Sequence, residues 1–356
     1  MPTERAHGVQ VIKTCEALAQ EGSEVTLVVP RRTTPIQKSP KEYYGLTKEF
    51  PIIYVPVVDT VSWGFLGFLL ETLSFVKGAM RVVRTQHTDV IYGRDELPLA
   101  FILFLGAKNV VWESHTGAWN SAARFVAKRA RAIITISQGL KDLYVSKGIP
   151  ETHITVAHDG VDVAAFVTTE NKTEARNRLG LPQDETIALY IGSLGQLKGT
   201  DTLMQTSKFV SNVRIAIIGG SPRQIETAKK KYPKVIFVGE RPYAELAQNQ
   251  VAADVLVLPN TGKNSIAERF TSPLKLFAYM TSSVPIVTSN ISSVREVLDD
   301  TCAYLVTPDD AHALASGIER ACTDSAAQGK AAGALQRVHQ YDWRVRARKI
   351  LQSVGK

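Results

Sequence analysis

The chain has 356 residues, of which 44% are apolar and 21% are charged, and this length favours two domains over one. Such a composition is ordinary for a globular protein, and it excludes the collagen-like, low-complexity and disulfide-scaffold classes. Lys and Arg number 42 against 34 Asp and Glu; the resulting net charge of +8 indicates an anionic partner, such as a phosphate ester, an acidic bilayer surface or a nucleic acid.

Helices alternate with short apolar strands through the first half of the chain. Apolar positions between Gly8 and Gly22 recur with helical spacing, strand Glu24–Pro30 follows, and a long helix is predicted around Phe65–Arg84. The pattern continues with strand Asp89–Tyr92, strand Asn109–Glu113, helix Trp119–Arg131, strand Ala132–Ile136, helix Gly139–Lys147 and strand Ile154–Val156. Because this alternation is typical of βαβ units, we predict an α/β domain with a parallel sheet over residues 1–165.

No strand precedes the first predicted helix, although the first strand of a doubly wound sheet is usually central. Either the numbered chain lacks a short N-terminal piece or this half is unusually open. We favour the first interpretation and expect the first strand of the N-terminal domain to be missing.

A second series of strands begins after the polar segment 162–184, which ends at Gly180-Leu181-Pro182 and indicates a domain boundary. The predicted strands are Thr186–Ile191, Val213–Ile218, Val235–Val238, Val255–Leu258 and Pro285–Thr288. They predict a second doubly wound domain over residues 180–335. The last segment, 340–356, is predicted to be a helix with one apolar face, formed by Trp343, Ala347, Ile350 and Val354.

The cysteines and the hydropathy pattern bear on the compartment. Cys15, Cys302 and Cys322 are too few and too widely spread for a disulfide framework or a metal cluster, which fits a reducing compartment. No apolar run reaches the eighteen or so residues that a membrane-spanning helix needs, and the first residues are too polar for a signal peptide. The sequence therefore predicts a cytoplasmic protein.

Residues at one predicted helix start suit an anion. Ser272 and Pro273 fit the N-cap and the first position of a helix that continues with Leu274. Free backbone amides at a helix start attract phosphate groups. Most capped helix starts bind nothing, however, so this feature alone is a weak indication.

Two glycine-containing loops add to it. Gly192 begins a loop between a strand and a helix that contains Lys198, whose amine is suited to neutralising a diphosphate. Gly219 and Gly220 form a small turn after the next strand. A single lysine is usually a solvated surface residue, and the loop matches neither G-x-G-x-x-G nor a Walker motif. All three features lie at the carboxyl ends of strands, where open α/β sheets bind ligands, and together they favour a phosphate-bearing ligand.

The ordered motifs of the chain resemble those of family 4 retaining glycosyltransferases of the GT-B fold. The likeness rests on G-x-x-x-x-x-K-G-x-D-x-L from Gly192, S-P-L-K-L-F-x-Y-M from Ser272, V-P-I-V-T at 284–288 and V-R-E-V at 294–297. Residues 3–8, 113–115, 158–162 and 341–343 are similar to the family's first loop, its central histidine motif, the entry to its interdomain linker and the start of its final helix, which crosses back onto the first domain. The resemblance implies two Rossmann-like, doubly wound domains facing across a cleft.

It also implies a nucleotide-diphosphate sugar as donor substrate, held mainly by the second domain and with neither a cofactor nor a metal. Lys198 would contact the diphosphate, which many members also bind through an Arg near Gly192, where this chain has Ser193. Gly8 would lie at the donor phosphates, and His115 would reach the transferred sugar. The other implied donor-binding positions are Gly219, Gly220, Glu240, Arg241, Pro242, Ser272, Pro273 and Leu274.

The chain departs from the family at its paired glutamates. The later one falls at Ala278 and the earlier one at Phe270, while Glu268 is two positions out of register. Because the later carboxylate accepts hydrogen bonds from the ribose in relatives, its loss is expected to weaken donor binding about ten- to a hundredfold.

The resemblance predicts transfer of a sugar, with retention, to a glycan or lipid-linked acceptor in cell-envelope polysaccharide or glycolipid synthesis. The alternative is a catalytically impaired homologue that binds a nucleotide sugar and acts as a partner subunit. Ala278 favours this alternative.

Two basic clusters of the first half share helix faces, Lys77 with Arg81 and Arg84, and Arg124 with Lys128 and Arg131. Beside exposed apolar side chains they suit peripheral contact with an anionic membrane at its inner face, although solvated faces over an ordinary core fit equally well. No recognition helix or stacking aromatic pattern accompanies the charge, so we expect no nucleic acid partner.

Overall fold

The computed structural model describes the whole chain except Glu4, Arg5, Thr33, Pro35, Asp59, Val61, Ser62 and Lys356. The chain forms two compact units. Unit 1 comprises residues 1–158 and the C-terminal segment from Trp343; unit 2 comprises Asp159–Asp342. The chain leaves unit 1 a few residues before the predicted end at 165, because Val161 packs into the hydrophobic core of unit 2.

Unit 1 alternates helices with parallel strands. Its helices are α1 (Ala6–Gln20), α2 (Pro40–Tyr44), α3 (Phe65–Thr85), α4 (Glu96–Phe104), α5 (Ser121–Ala127), α6 (Gln138–Ser146) and, numbered last because it ends the chain, α16 (Trp343–Ser353). Its strands are β1 (Leu27–Pro30), β2 (Ile52–Val55), β3 (Ile91–Gly93), β4 (Val110–Ser114), β5 (Ala132–Thr135) and β6 (Ile154–Val156). They form two parallel sheets, β1-β2 and β3-β4-β5-β6.

The division into two sheets follows from the topology. In the described residues α1 is the first element, and no strand precedes it. In a doubly wound order the first strand pairs with both the second and the fourth. With no such strand, β1 and β3 have no common neighbour, and each remains the edge of its own sheet.

The final helix belongs to unit 1. The predicted apolar face of α16 is confirmed, since Trp343, Ala347, Ile350 and Val354 are all at most 4% exposed. Ile350 and Val354 pack with strand residues of β4 and β5, and α16 also lies along α1.

Unit 2 is built on one six-stranded parallel sheet. Its strands are β7 (Thr186–Ile191), β8 (Val213–Ile218), β9 (Ile236–Gly239), β10 (Val255–Leu258), β11 (Ile286–Ser289) and β12 (Tyr304–Val306). Its helices are α7 (Lys172–Leu179), α8 (Thr200–Thr206), α9 (Pro222–Lys231), α10 (Leu246–Gln250), α11 (Ser265–Arg269), α12 (Leu274–Met280), α13 (Ser292–Arg295), α14 (Ala311–Thr323) and α15 (Ala327–Val338).

The strand order β12-β11-β10-β7-β8-β9 is that of a Rossmann sheet, in which the order reverses between the first and fourth strands of the unit. Both faces are buried: Ile187 and Leu189 of β7 pack into one apolar cluster, whereas Ala188 and Tyr190 pack into a second. Near-continuous apolar strands are therefore required, as the sequence indicated. The reversal point lies at the carboxyl ends of β7 and β10.

Several predicted bounds differ from the structure by one to three residues, as in β1, β3, β9 and β11, and larger differences occur at one helix and two strands. The helix predicted over Trp119–Arg131 is the shorter α5, because the chain must turn before it enters β5. Strands β2 and β12, of four and three residues, were not predicted. None of the described helices has the length and apolarity needed to cross a bilayer.

Candidate functional site

The carboxyl edge of the unit 2 sheet is formed by glycine turns that are hydrogen-bonded to one another. The amide of Gly192 donates to the carbonyl of Ile218 at 2.8 Å, and the amide of Gly219 donates to that of Gly239 at 2.8 Å. Gly219 has a φ of +126°, and a Cβ there would collide with the Gly192 carbonyl. Both turns therefore need glycine to approach so closely. Gly220 packs in the same way against Leu194.

Lys198 lies at the point where the strand order reverses. It ends a short 3₁₀ helix, Gln196–Lys198, that follows β7. The next residue, Gly199, has a φ of +62° and packs so tightly on the Pro259 carbonyl, just after β10, that a Cβ would not fit. The loop thus bridges the exits of β7 and β10, where Rossmann sheets bind their ligands.

The Lys198 side chain is partly buried, and its amine has no hydrogen-bond or ion-pair partner in the described part of the chain. Burial lowers its pKa. A cation withdrawn from water without a counter-charge is uncommon and marks a candidate anion site.

The start of α12 differs from the prediction at Ser272. Pro273 occupies the N-cap position, with φ −70° and ψ +115°, and no side chain caps the helix. The hydroxyl of Ser272 instead accepts a hydrogen bond from the amide of Asp159 at 2.8 Å, and both residues are buried. Ser272 therefore fastens the start of α12 to the segment that enters unit 2. The predicted N-cap role is wrong, because Pro273 and Leu274 begin the helix one residue later.

Lys275, in the first turn of α12, was not singled out from the sequence. Its Nζ donates to the Tyr190 hydroxyl at 2.6 Å and lies 4.0 Å from the centre of the Tyr190 ring. A Cβ on Gly192 would collide with this amine. Burial and the charge of Lys198 hold the pKa of Lys275 well below its ordinary value. The structure thus brings Lys198 and the start of α12 to the same edge of the sheet.

The remaining predicted positions of unit 2 are more peripheral. Glu240, Arg241 and Pro242 follow β9, the edge strand, and all three are exposed. Ser193 is also exposed, and its carbonyl accepts a hydrogen bond from the Tyr190 hydroxyl at 2.9 Å.

Ala278 is 1% exposed and Phe270 is 9% exposed. Neither position offers a carboxylate. Glu268, two residues before Phe270, is turned toward Ser292, whose hydroxyl donates to it at 2.6 Å.

His115 of unit 1 follows β4 and is held by a buried carboxylate. Its Nε2 lies 2.5 Å from Glu113 Oε1, and Glu113 is fully buried. Arg346 of α16 forms an ion pair with Glu113 Oε2 at 2.8 Å, Gln10 donates to Oε1 at 2.5 Å, and the Tyr92 hydroxyl also donates to this carboxylate.

Burial raises the pKa of Glu113, but Arg346 and His115 outweigh it and hold the pKa well below its ordinary value. Since an ionised carboxylate only accepts, Nε2 of His115 carries the hydrogen of their contact, and a neutral ring keeps Nδ1 as an acceptor. Sequence reasoning identified His115 but not Arg346, whose partner is 233 positions away along the chain.

Gly8 lies in the first turn of α1, where packing accounts for the glycine. A Cβ would be 2.6 Å from the Tyr44 hydroxyl and would also press on the side chain of Thr3. Two residues of the motif around it, Glu4 and Arg5, lie outside the described residues. The predicted contact of Gly8 with donor phosphates stays a prediction.

Two family sequence models match the chain, one for each unit. The model described as Glycosyltransferase Family 4 matches residues 7–165, and the model described as Glycosyl transferases group 1 matches residues 185–324. The chain belongs to the family 4, group 1 glycosyltransferases.

Similar proteins agree with this assignment. TuaC of Bacillus subtilis, whose name places it among glycosyltransferases of teichuronic acid biosynthesis, is 23% identical over 86% of this chain and 82% of its own length. Among solved structures, sucrose-phosphate synthase from Thermosynechococcus elongatus has a TM-score of 0.77 at 20% identity, covering 98% of this glycosyltransferase and 92% of that chain. HepE of Anabaena, solved with UDP and glucose, has a TM-score of 0.76 at 17% identity over 100% and 97% of the two chains. At this identity the likeness shows the fold, which is GT-B with two Rossmann-like domains.

Proposed function

We propose that this glycosyltransferase moves a sugar, with retention, from a nucleotide-diphosphate donor to a glycan or lipid-linked acceptor in polysaccharide or glycolipid synthesis. This rests on the amine of Lys198, which is partly buried at the reversal point of the unit 2 sheet and has no hydrogen-bond or ion-pair partner among the described residues. Retention comes from the family resemblance. HepE was solved with UDP-glucose and TuaC is named for teichuronic acid, which supports a nucleotide sugar and a cell-envelope product.

In this proposal Lys198 stabilises the negative charge that develops on the departing diphosphate. A cation fixed in advance in a partly desolvated site is worth more than the same charge in water, because it needs no reorganisation during the reaction. Leu274 and the turns at Gly219 and Gly220 line the phosphates, and Glu240, Arg241 and Pro242 lie toward the base. Ser272 acts indirectly, by fixing the start of α12. No metal is assigned a role.

For unit 1 we propose that His115 hydrogen-bonds a hydroxyl of the transferred sugar. With Nε2 donating to Glu113, Nδ1 is the ring nitrogen left for a sugar hydroxyl. Glu113 then acts as a positioning residue, since it fixes both the tautomer and the orientation of the ring.

Release of nucleoside diphosphate from a panel of UDP, GDP, ADP and dTDP sugars tests the assignment. We expect turnover of at least one donor and a loss on the order of a hundredfold or more in Lys198→Met, with Lys229→Met, an exposed lysine of α9, as the matched control. Absence of both binding and turnover across the panel would contradict the proposal, as would an unchanged Lys198→Met.

Ala278 favours a second candidate, a homologue that binds a nucleotide sugar without transferring it and serves a partner subunit. This candidate predicts donor binding with no turnover in the same panel. Turnover in the wild type decides against it.

We further propose peripheral contact with an anionic membrane through one exposed stripe of α3. The stripe is apolar in its first half and basic in its second, with residues spaced three or four apart: Leu66, Leu70, Leu73, Lys77, Arg81 and Arg84. Leu66 is 71% exposed, while the polar Glu71 of the same helix is buried, so the usual burial order is inverted. Apolar insertion combined with basic side chains suits an anionic lipid surface.

The second predicted basic cluster contributes less, because Arg131 lies beyond α5 and donates to the Val354 carbonyl at 2.6 Å. Cosedimentation with phosphatidylglycerol vesicles tests the membrane contact. Vesicle binding is expected to be lost in two variants, the triple variant Leu66→Ser/Leu70→Ser/Leu73→Ser and the double variant Lys77→Glu/Arg81→Glu. The control is Val167→Ser, which changes an exposed apolar residue of unit 2. The proposed membrane contact would be overturned if these variants still bound, or if the wild type bound phosphatidylcholine vesicles as well as phosphatidylglycerol vesicles.

A further inference from the structure

Lys275 places a second amine at the exit of β7, against the start of the loop that carries Lys198. The Lys275 amine lies against the backbone of Gly192, and the Tyr190 hydroxyl accepts its hydrogen bond at 2.6 Å while donating to the Ser193 carbonyl at 2.9 Å. One tyrosine thus ties the amine to the loop that leads to Lys198.

The described residues supply no counter-charge to either of the two amines. The charge of Lys198 acts on Lys275, and in the described part of the chain no carboxylate forms an ion pair with either of them. Withdrawing cations from water costs free energy, and two like charges held close together add to that cost. Such an arrangement becomes favourable when an anion with two charged groups bridges the amines.

The position of Lys275 also bears on the turn at Gly192. Ser193, the residue after Gly192, cannot bind phosphate as a cation. The Lys275 amine reaches the backbone of Gly192 from α12, so a second amine stands at this turn, at the start of the loop that carries Lys198.

We propose that Lys275 is the second cation of the diphosphate site, binding one phosphate while Lys198 binds the other, and that Tyr190 holds its amine in place until the ligand arrives. The inference rests on the proposed function and names a further ligand of that same site. No covalent step is involved. Lys275 is expected to stay on the face of the Tyr190 ring, where the π-electrons stabilise its charge.

Calorimetric titration of the full chain with inorganic pyrophosphate and with UDP tests the inference. Lys275→Met is expected to weaken pyrophosphate binding about ten- to a hundredfold, and Lys275→Arg to keep the affinity within about threefold of the wild type. Lys229→Met is the control for the loss of a lysine remote from the site.

A pH series distinguishes a ligand from a packing residue. Because the pKa of Lys275 is lowered, its amine loses its proton at a lower pH than an ordinary lysine. At higher pH the wild-type protein must therefore take up a proton when it binds pyrophosphate, and its affinity falls as the pH rises. In Lys275→Arg the guanidinium stays protonated, so this part of the pH dependence disappears. Without ligand, Lys275→Met is expected to melt no lower than the wild type, since it replaces a buried amine, which the described residues leave without a counter-charge, by an apolar side chain of similar length.

The outcomes separate the two proposals. If pyrophosphate and UDP bind the wild type and Lys198→Met abolishes binding while Lys275→Met does not weaken it, Lys275 is not a ligand and the proposed function stands. A Lys275→Met variant that loses affinity only together with its thermal stability also overturns the inference. If neither probe binds the wild type, both proposals fail.

Discussion

Ala278 lies three residues after Lys275 on α12, so the two side chains point to the same face of the helix. A carboxylate at 278 would stand beside the Lys275 amine. It would attract the ribose hydroxyls of a nucleotide and at the same time compete with phosphate for Lys275.

We therefore predict that Ala278→Glu changes the balance between two ligands. The affinity for UDP relative to inorganic pyrophosphate is expected to rise about tenfold, because only UDP gains the ribose contact. Ala278→Gln, with the same shape and no charge, is expected to give a smaller change. Calorimetry with both ligands measures the ratio of the two affinities. Circular dichroism checks that the buried position tolerates the larger side chain. An unchanged ratio would show that position 278 does not face the ribose.

Glu113 allows a pH prediction. Its pKa in the folded protein is held below its ordinary value of 4.5, so its ion pair with Arg346 contributes fully to stability above that pH and is lost as the pH falls through the lower, folded-state value.

Glu113→Gln leaves the Arg346 charge buried without its partner and is expected to cost about 3–5 kcal/mol of the free energy of unfolding at neutral pH. The difference from the wild type is expected to shrink as the pH falls below about 4.5, where the carboxylate takes up a proton in the unfolded chain while it is still ionised in the folded protein. Thermal unfolding of both proteins from neutral pH to below pH 4.5 measures this difference in stability. A difference that stays constant into the acid range would mean that the charge of Glu113 contributes nothing.

Among the elements, the strands of unit 2 were predicted best. Strands β7, β8 and β10 begin and end at the predicted residues, because the sheet is covered on both faces and each strand is almost wholly apolar. β2 and β12 were not predicted, although β10 and β6 have the same lengths and were predicted with the correct ends. Contacts between elements far apart in sequence have no local signal, so neither the Lys275–Tyr190 nor the Glu113–Arg346 contact could be predicted.

α16 yields a prediction at the scale of one helix. Ile350 is 2% exposed and packs on β4 and β5, and shortening it to Ala is expected to cost about 2–5 kcal/mol. Because α16 also lies along α1, hydrogen exchange is expected to quicken in α1, β4 and β5 and to stay unchanged in α12. Gln352→Ala, an exposed position of the same helix, is the control. Faster exchange spread evenly over both units would contradict this assignment of α16.

In this chain of net charge +8, two groups of basic side chains suit an anionic partner. The basic half of the α3 stripe, in unit 1, suits anionic lipid, and the amines of Lys198 and Lys275, in unit 2, suit a diphosphate. The first is exposed and therefore screened by salt, whereas the second is partly buried and screened less. Raising the ionic strength is thus expected to release vesicles well before it releases pyrophosphate.

The two-unit organisation predicts that a phosphate ligand without a sugar stabilises mainly unit 2, which carries Lys198 and Lys275. At a hundredfold excess over its dissociation constant, pyrophosphate adds about 2.7 kcal/mol to the folded state that binds it, which for a unit of this size corresponds to about 5–10 °C in Tm. In the presence of pyrophosphate, backbone amide exchange is expected to slow at residues 190–199, 219–221 and 272–276. The exchange rates of residues 113–115 in unit 1 are expected to stay unchanged. Protection around His115 by pyrophosphate alone would show that phosphate binding also involves unit 1, and protection confined to unit 1 would remove the diphosphate site from the second sheet altogether.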